Sequence, residues 1–210
     1  MKLNENTKIL IVGLGLIGGS YAEALSAKGY ELGAIDTKKS SIDYALAKGW
    51  IKSGQTDVEK DYVSQFDLVV FALYPHLLAE WIEKYQSFFK SGALITDVTG
   101  VKGSVVRKVQ SILRKDVEFV GAHPMAGRET SGVESANAQI FKDANYIVTP
   151  TSENTTENIE ACKELGRELG FERISELSPE EHDEIVGFLS HLTHCIAVSL
   201  MVCKDNEHLA

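Results

Sequence analysis

One histidine, His123, stands in the segment Val120-Gly121-Ala122-His123-Pro124-Met125-Ala126-Gly127-Arg128, directly after the apolar run Val117 to Val120. Pro124 disfavours helical backbone at the residue before it, so His123 is expected on extended chain at a strand's end. Imidazole has the unperturbed pKa best suited to proton transfer near neutral pH, so general acid–base chemistry is on offer. A strand-end histidine standing alone serves equally as a structural hydrogen-bonding group, and the rest of the chain must decide. Two more histidines, His191 and His194, lie three apart beside Ser190 on one face of an expected helix. They suit either a polar ligand or a hydrogen-bonded core. A metal would require a third ligand, and His182, nine positions before His191, comes with no matching acidic pattern, so no metal is expected. His76 and His208 have no such context and are expected in solvent.

The elements that must position these groups are legible in order. Ile9 to Val12 is an aliphatic run suited to a strand buried on both faces. Gly13-Leu14-Gly15-Leu16-Ile17-Gly18 follows at once and opens a helix to about Lys28. A second strand, Glu31 to Ile35, ends in Asp36, 23 positions after Gly13. Strand, glycine turn, helix and distal acid together form a dinucleotide site, with the pyrophosphate at the helix N-terminus and Asp36 on ribose hydroxyls. A carboxylate at 36 repels a 2′-phosphate and favours NAD over NADP, although Lys38 and Lys39 could partly offset this. Leu68 to Leu73 runs into Tyr74-Pro75 and a helix to about Phe89. Ala93 to Thr96 runs into Asp97-Val98-Thr99-Gly100 and a helix from about Lys102 to Leu113. Ligands bind beyond the carboxyl ends of parallel strands. Gly13, Asp36, Tyr74, Thr99 and His123 should therefore ring one crevice, which makes His123 a catalytic candidate.

Asn145 to Thr149 and Phe171 to Ser175 read as further strands, with a helix from Thr155 to about Leu169 between them. Ser178-Pro179-Glu180-Glu181 has the form of a capping box with proline in the first turn. The helix it opens should reach the neighbourhood of Lys204. Ile185, Leu189, Leu192, Ile196 and Cys203 form one stripe, with Val198 and Met201 opposite, so the helix is apolar nearly all round and expected to be buried between two bodies. The fold expected is α/β, a doubly wound Rossmann-type sheet over residues 1–177. Residues 178–210 would begin an all-α domain that pairs subunits.

Composition narrows the partners. A net charge of −9 over 210 residues argues against nucleic acid and anionic membrane surfaces. Three cysteines (162, 195 and 203) without paired spacing read as reduced thiols in the cytoplasm. The polar segment Met1 to Lys8 does not read as a signal peptide, and no unbroken run approaches the roughly 18 apolar residues of a membrane span.

Four segments together resemble the prephenate dehydrogenase family of tyrosine biosynthesis, which includes arogenate dehydrogenases. They are Gly13 to Ser20, Asp97-Val98-Thr99-Gly100-Val101-Lys102-Gly103, Gly121-Ala122-His123-Pro124-Met125-Ala126-Gly127 with Glu129 and Ser131-Gly132, and Ser190-His191-Leu192-Thr193-His194. The resemblance implies NAD-dependent oxidative decarboxylation of prephenate by a homodimer. His123 would accept the hydroxyl hydrogen, aided by Thr99. His194, His191, Ser190 and Arg128 would hold the substrate, and Gly13, Gly15, Leu16, Ile17, Gly18, Asp36, Leu73, Tyr74 and Thr99 the cofactor. Two departures stand out. Gly100 occupies a place where many members have serine, and Thr193 one where many have proline. The family's carboxylate-binding arginine lies beyond position 210, leaving Arg128 and Lys102 as the nearest cations, so the chain reads as a fragment or a shortened form. The alternatives are arogenate dehydrogenase, a hydroxyacid dehydrogenase or imine reductase relative, and a dinucleotide-binding or dimerisation module that has lost catalysis. The second would place lysine or aspartate, not Ser190, His191 and His194, on the long helix.

Overall fold

The computed structural model describes residues 1–203, so His208 and the expected helix end near Lys204 lie outside the described residues. Six parallel strands form the main sheet: β1 (Lys8–Val12), β2 (Glu31–Ile35), β3 (Ser53–Gln55), β4 (Leu68–Phe71), β5 (Leu94–Asp97) and β6 (Glu118–Phe119). Their order is β3-β2-β1-β4-β5-β6, so the chain reverses direction across the sheet between β1 and β4. Helices α1 (Leu16–Ala27), α2 (Lys39–Ala47), α3 (Lys60–Val63), α4 (Pro75–Tyr85) and α5 (Gly103–Ile112) connect them. Ile9, Leu10 and Ile11 are fully buried, and so are Val69, Val70 and Phe71, because helices cover both faces. The two faces found separate cores, one around Tyr21, Leu25 and Leu32, the other around Phe71, Ile82 and Val106.

The second sheet departs from the expected reading. Val117 to Val120 does not run straight to a strand end at His123. The main-sheet strand is only Glu118–Phe119, and β7 (Gly121–Pro124) begins a separate three-stranded sheet. There β7 pairs antiparallel with β8 (Asn145–Thr149), and β8 pairs parallel with β9 (Arg173–Glu176). The chain turns between sheets at Gly121, where a Cβ would lie 2.5 Å from Thr149 Oγ1. His123 therefore sits inside a strand, opposite Ile147. Helix α6 (Thr156–Glu168), capped by Thr155, links β8 to β9.

The last helix starts at the expected capping box, with Ser178 and Glu181 bonded reciprocally. It comprises α7 (Pro179–Val186), a wide π-turn at Gly187–His191, and α8 (Leu192–Cys203). Its expected burial holds only for the first turns: Pro179, His182 and Val186 are buried, whereas Phe188, Leu189, Leu192, Ile196, Val198 and Met201 are exposed. No second body among the described residues covers them. The helix Pro179–Cys203 is also long and apolar enough, by length and composition alone, to cross a membrane. That departs from the expectation, which counted only unbroken apolar runs. Ser190, His191, Thr193 and His194 interrupt the run with polar groups rather than charged ones.

Candidate functional site

The glycine turn is shaped by close backbone contact. Gly13 has φ +98°, and a Cβ there would meet Ala72 O at 2.5 Å. At Gly18 a Cβ would lie 1.9 Å from Gly13 O, so only glycine lets α1 pack this tightly on β1. Gly15, by contrast, faces open space at the N-terminal end of α1, where Leu16 and Ile17 begin the helix. Asp36 Oδ2 accepts from Leu14 N (2.6 Å) and Oδ1 from Lys38 N (2.7 Å), so the acid braces the turn from the end of β2. Lys39 is paired with Asp43 and does not neutralise Asp36. A cleft of about 430 Å³ runs past Gly13, Asp36, Thr37, Leu73, Leu77 and Trp81. Tyr74, the N-cap of α4, is exposed beside it. Bare helix amides, a glycine floor without Cβ atoms, a carboxylate and an apolar slot fit an extended dinucleotide.

Beyond β5 lies a buried ionic knot. Lys102 Nζ pairs with Asp97 Oδ2 at 2.6 Å, and both side chains are fully buried. The Asp97 carboxylate also accepts from Thr99 N (3.0 Å), Thr99 Oγ1 and Ala122 N (3.1 Å), while Lys102 Nζ donates to Thr99 Oγ1 (3.1 Å). Thr99 is thus tied to Asp97 and Lys102, and Lys102 is spent inside the protein rather than offered as a surface cation. Gly100, not Thr99, adjoins the imidazole: a Cβ there would stand 3.5 Å from His123 Nε2.

His123 is half-buried, and its pKa is lowered from 6.5 to about 4, first by desolvation and then by the Lys102 charge. It is neutral at pH 7, as a base must be. Its Nδ1 lies 2.8 Å from Nε2 of the fully buried His182, whose Nδ1 lies 2.8 Å from Asp183 Oδ1. Asp183 in turn accepts from the backbone amides of Lys102 (2.7 Å) and Gly103 (2.8 Å) at the start of α5. The sequence brings His182 into view only as a possible metal ligand, and nothing local pairs it or Asp183 with His123. The signal available was a His-Asp step one turn inside a capped helix, on the side that must face the sheet. Ser190, His191 and His194 are exposed on the last helix, and Arg128 is exposed on the loop after β7.

The family model for the prephenate dehydrogenase nucleotide-binding domain matches residues 21–174. The chain belongs to the prephenate dehydrogenase family. The model for the family's dimerization domain matches residues 178–209. Among curated relatives, the prephenate dehydrogenase of Bacillus subtilis is 33% identical over 195 residues, 92% of this chain and 52% of its own length. The chain spans about half the length of the curated relatives it matches first. A prephenate dehydrogenase structure from Aquifex aeolicus, in complex with hydroxyphenyl propionate and NAD+, is similar with TM-score 0.85 and 32% identity, covering 96% of this chain and 70% of that one. The Synechocystis arogenate dehydrogenase structure gives TM-score 0.85 at 25% identity, covering 97% and 72%.

Proposed function

We propose that the protein oxidatively decarboxylates prephenate to 4-hydroxyphenylpyruvate and carbon dioxide with NAD, in the tyrosine pathway. The observation that carries this reading is the neutral imidazole of His123, its Nε2 beside Gly100 at the carboxyl end of the main sheet. NAD, when bound, supplies the hydride acceptor. Gly13, Gly15, Leu16, Ile17 and Gly18 would hold its pyrophosphate, Asp36 its ribose, and Leu73 and Tyr74 the flank of the cleft. His123 takes the substrate's hydroxyl proton at Nε2 as the carbon bearing that hydroxyl is oxidised. Loss of carbon dioxide from the opposite ring carbon then aromatises the ring. The same imidazole returns the proton to the oxygen, so the product is a phenol and His123 ends neutral.

Thr99 supports this centre through Asp97 and Lys102. His191, His194 and Ser190 would line the substrate's side-chain region, with Arg128 the exposed cation nearest in sequence to His123. Residues 1–177 would form the nucleotide domain and residues from 178 the opening of the helical one. Its exposed Phe188, Leu189, Ile196 and Met201 would be covered by a second copy in a homodimer. Free thiols at Cys162, Cys195 and Cys203 support a cytoplasmic location. Arogenate is the second candidate substrate, favoured by the likeness to an arogenate dehydrogenase. The test is NADH formation, followed by absorbance, with prephenate and arogenate offered separately at saturating NAD. Turnover of prephenate supports the reading, turnover of arogenate alone transfers it to the second substrate, and turnover of neither overturns both.

A further inference from the structure

We propose that His182 and Asp183 are positioning residues that fix the tautomer and direction of His123, holding its lone pair at Nε2 toward the reacting hydroxyl. The inference rests on the reading of His123 as the base. It follows from a chain of hydrogen bonds in which each partner leaves one choice for the next. The Asp183 carboxylate accepts two backbone amides, Lys102 N at 2.7 Å and Gly103 N at 2.8 Å, at the N-terminus of α5. Burial works against its charge, but those amides and the His182 ring outweigh it and hold the carboxyl below its ordinary range. An ionised carboxylate only accepts, so the proton between it and His182 belongs to His182 Nδ1 (2.8 Å). A neutral imidazole protonated at Nδ1 is bare at Nε2. His182 Nε2 must therefore accept from His123 Nδ1, 2.8 Å away. His123 is left with its proton on Nδ1 and its lone pair on Nε2, the nitrogen beside Gly100.

His182 has no exposed surface, so solvent cannot take over either of its bonds. Its pKa is lowered, first by desolvation, which favours the neutral ring this arrangement needs. The order resembles the logic of hydrolase triads, in which an acid holds an imidazole in one tautomer without itself taking the proton. Here a second imidazole stands between acid and base. Proton balance requires no relay to solvent: the hydroxyl proton taken up at Nε2 returns to the same oxygen in the phenol. What the pair supplies is direction, plus an acceptor for Nδ1–H while His123 is briefly cationic. Both residues lie on α7, so the docking of the last helix and the readiness of the base are one structural event. Asp183 ties α7 to α5, and His182 ties it to β7.

The experiment compares the protein with its His182→Leu and His182→Gln variants. Leucine cannot accept from Nδ1, which frees His123 to move its proton to Nε2. Glutamine retains an acceptor. Leucine should lower kcat by roughly 10- to 100-fold, the effect of losing one hydrogen bond in a charged network, with KM and NAD affinity little changed. Glutamine should recover most of that loss. Nitrogen NMR of the imidazoles in the unsubstituted protein should show His123 protonated at Nδ1 and bare at Nε2. The opposite tautomer, or a leucine variant with undiminished kcat, overturns the inference while leaving the proposed reaction standing. An unsubstituted protein inactive on both substrates overturns the proposed reaction instead, and the NMR tautomer still decides the role of His182.

Discussion

Replacing Gly15 by alanine separates the fold of the glycine turn from its ligand. A Cβ at Gly15 meets nothing within 4 Å, and the residue sits at φ −85°, which alanine adopts freely. Exchanging glycine for alanine at an N-cap costs about 1 kcal/mol at most, so the variant should fold. The methyl group, however, enters the open space at the start of α1, where a pyrophosphate must approach the helix amides. Displacing one charge-assisted hydrogen bond to a phosphate loses about 1.5–3 kcal/mol, which is roughly 10- to 150-fold in affinity. Gly18→Ala is the contrast, because its Cβ would lie 1.9 Å from Gly13 O and the backbone itself must move. That overpacking should cost about 1–3 kcal/mol of stability as well as binding. Calorimetric titration with NAD and urea unfolding measure the two quantities separately. Gly15→Ala binding NAD as tightly as the unsubstituted protein would remove the dinucleotide from this turn. A loss of stability equal to that of Gly18→Ala would refute the open space assigned to it.

Three other perturbations reach different parts of the site. The folded-state pKa of His123, about 4, lies below its ordinary 6.5, so the unfolded chain binds a proton that the folded one refuses. Stability is therefore fully present above about pH 6.5 and falls by about 3 kcal/mol as the pH drops toward 4. His123→Asn should flatten that dependence in urea unfolding, and an unchanged curve would contradict the assignment. Lys102→Met strands the fully buried Asp97 carboxylate without its cation, so unfolding free energy should fall by about 3–5 kcal/mol, and a loss under about 1 kcal/mol would refute the pairing. Gly100→Ser places a hydroxyl beside His123 Nε2 and should raise kcat/KM several-fold, worth about 1 kcal/mol. A fall would show the serine competing with the substrate for the lone pair.

The central strands were legible because Ile9 to Val12 and Leu68 to Phe71 are unbroken apolar runs, which strands buried on both faces require. The turn and Asp36 followed from spacing. Strand β3 was not legible: Ser53-Gly54-Gln55 has no apolar signal and is ordered by pairing with β2 and by Ile42 packing over Gly54. The separate sheet was missed because Val117 to Pro124 reads as one extended segment, and nothing local marks Gly121 as the point where it changes partners. The last helix lies exposed in the single chain, because an apolar surface reveals that a partner is needed, not where the partner resides. In the site, His123 was identifiable from its neighbours in sequence. His182 acts across 59 positions of chain, a separation that no local pattern reports.

The most direct test of His123 as the base is His123→Asn, assayed for NADH formation from prephenate alongside NAD titration. A kcat at least ~100-fold lower, with NAD affinity and fold retained, is the expected result, matching the usual contribution of a positioned base. Turnover within a few-fold of the unsubstituted protein would contradict the account.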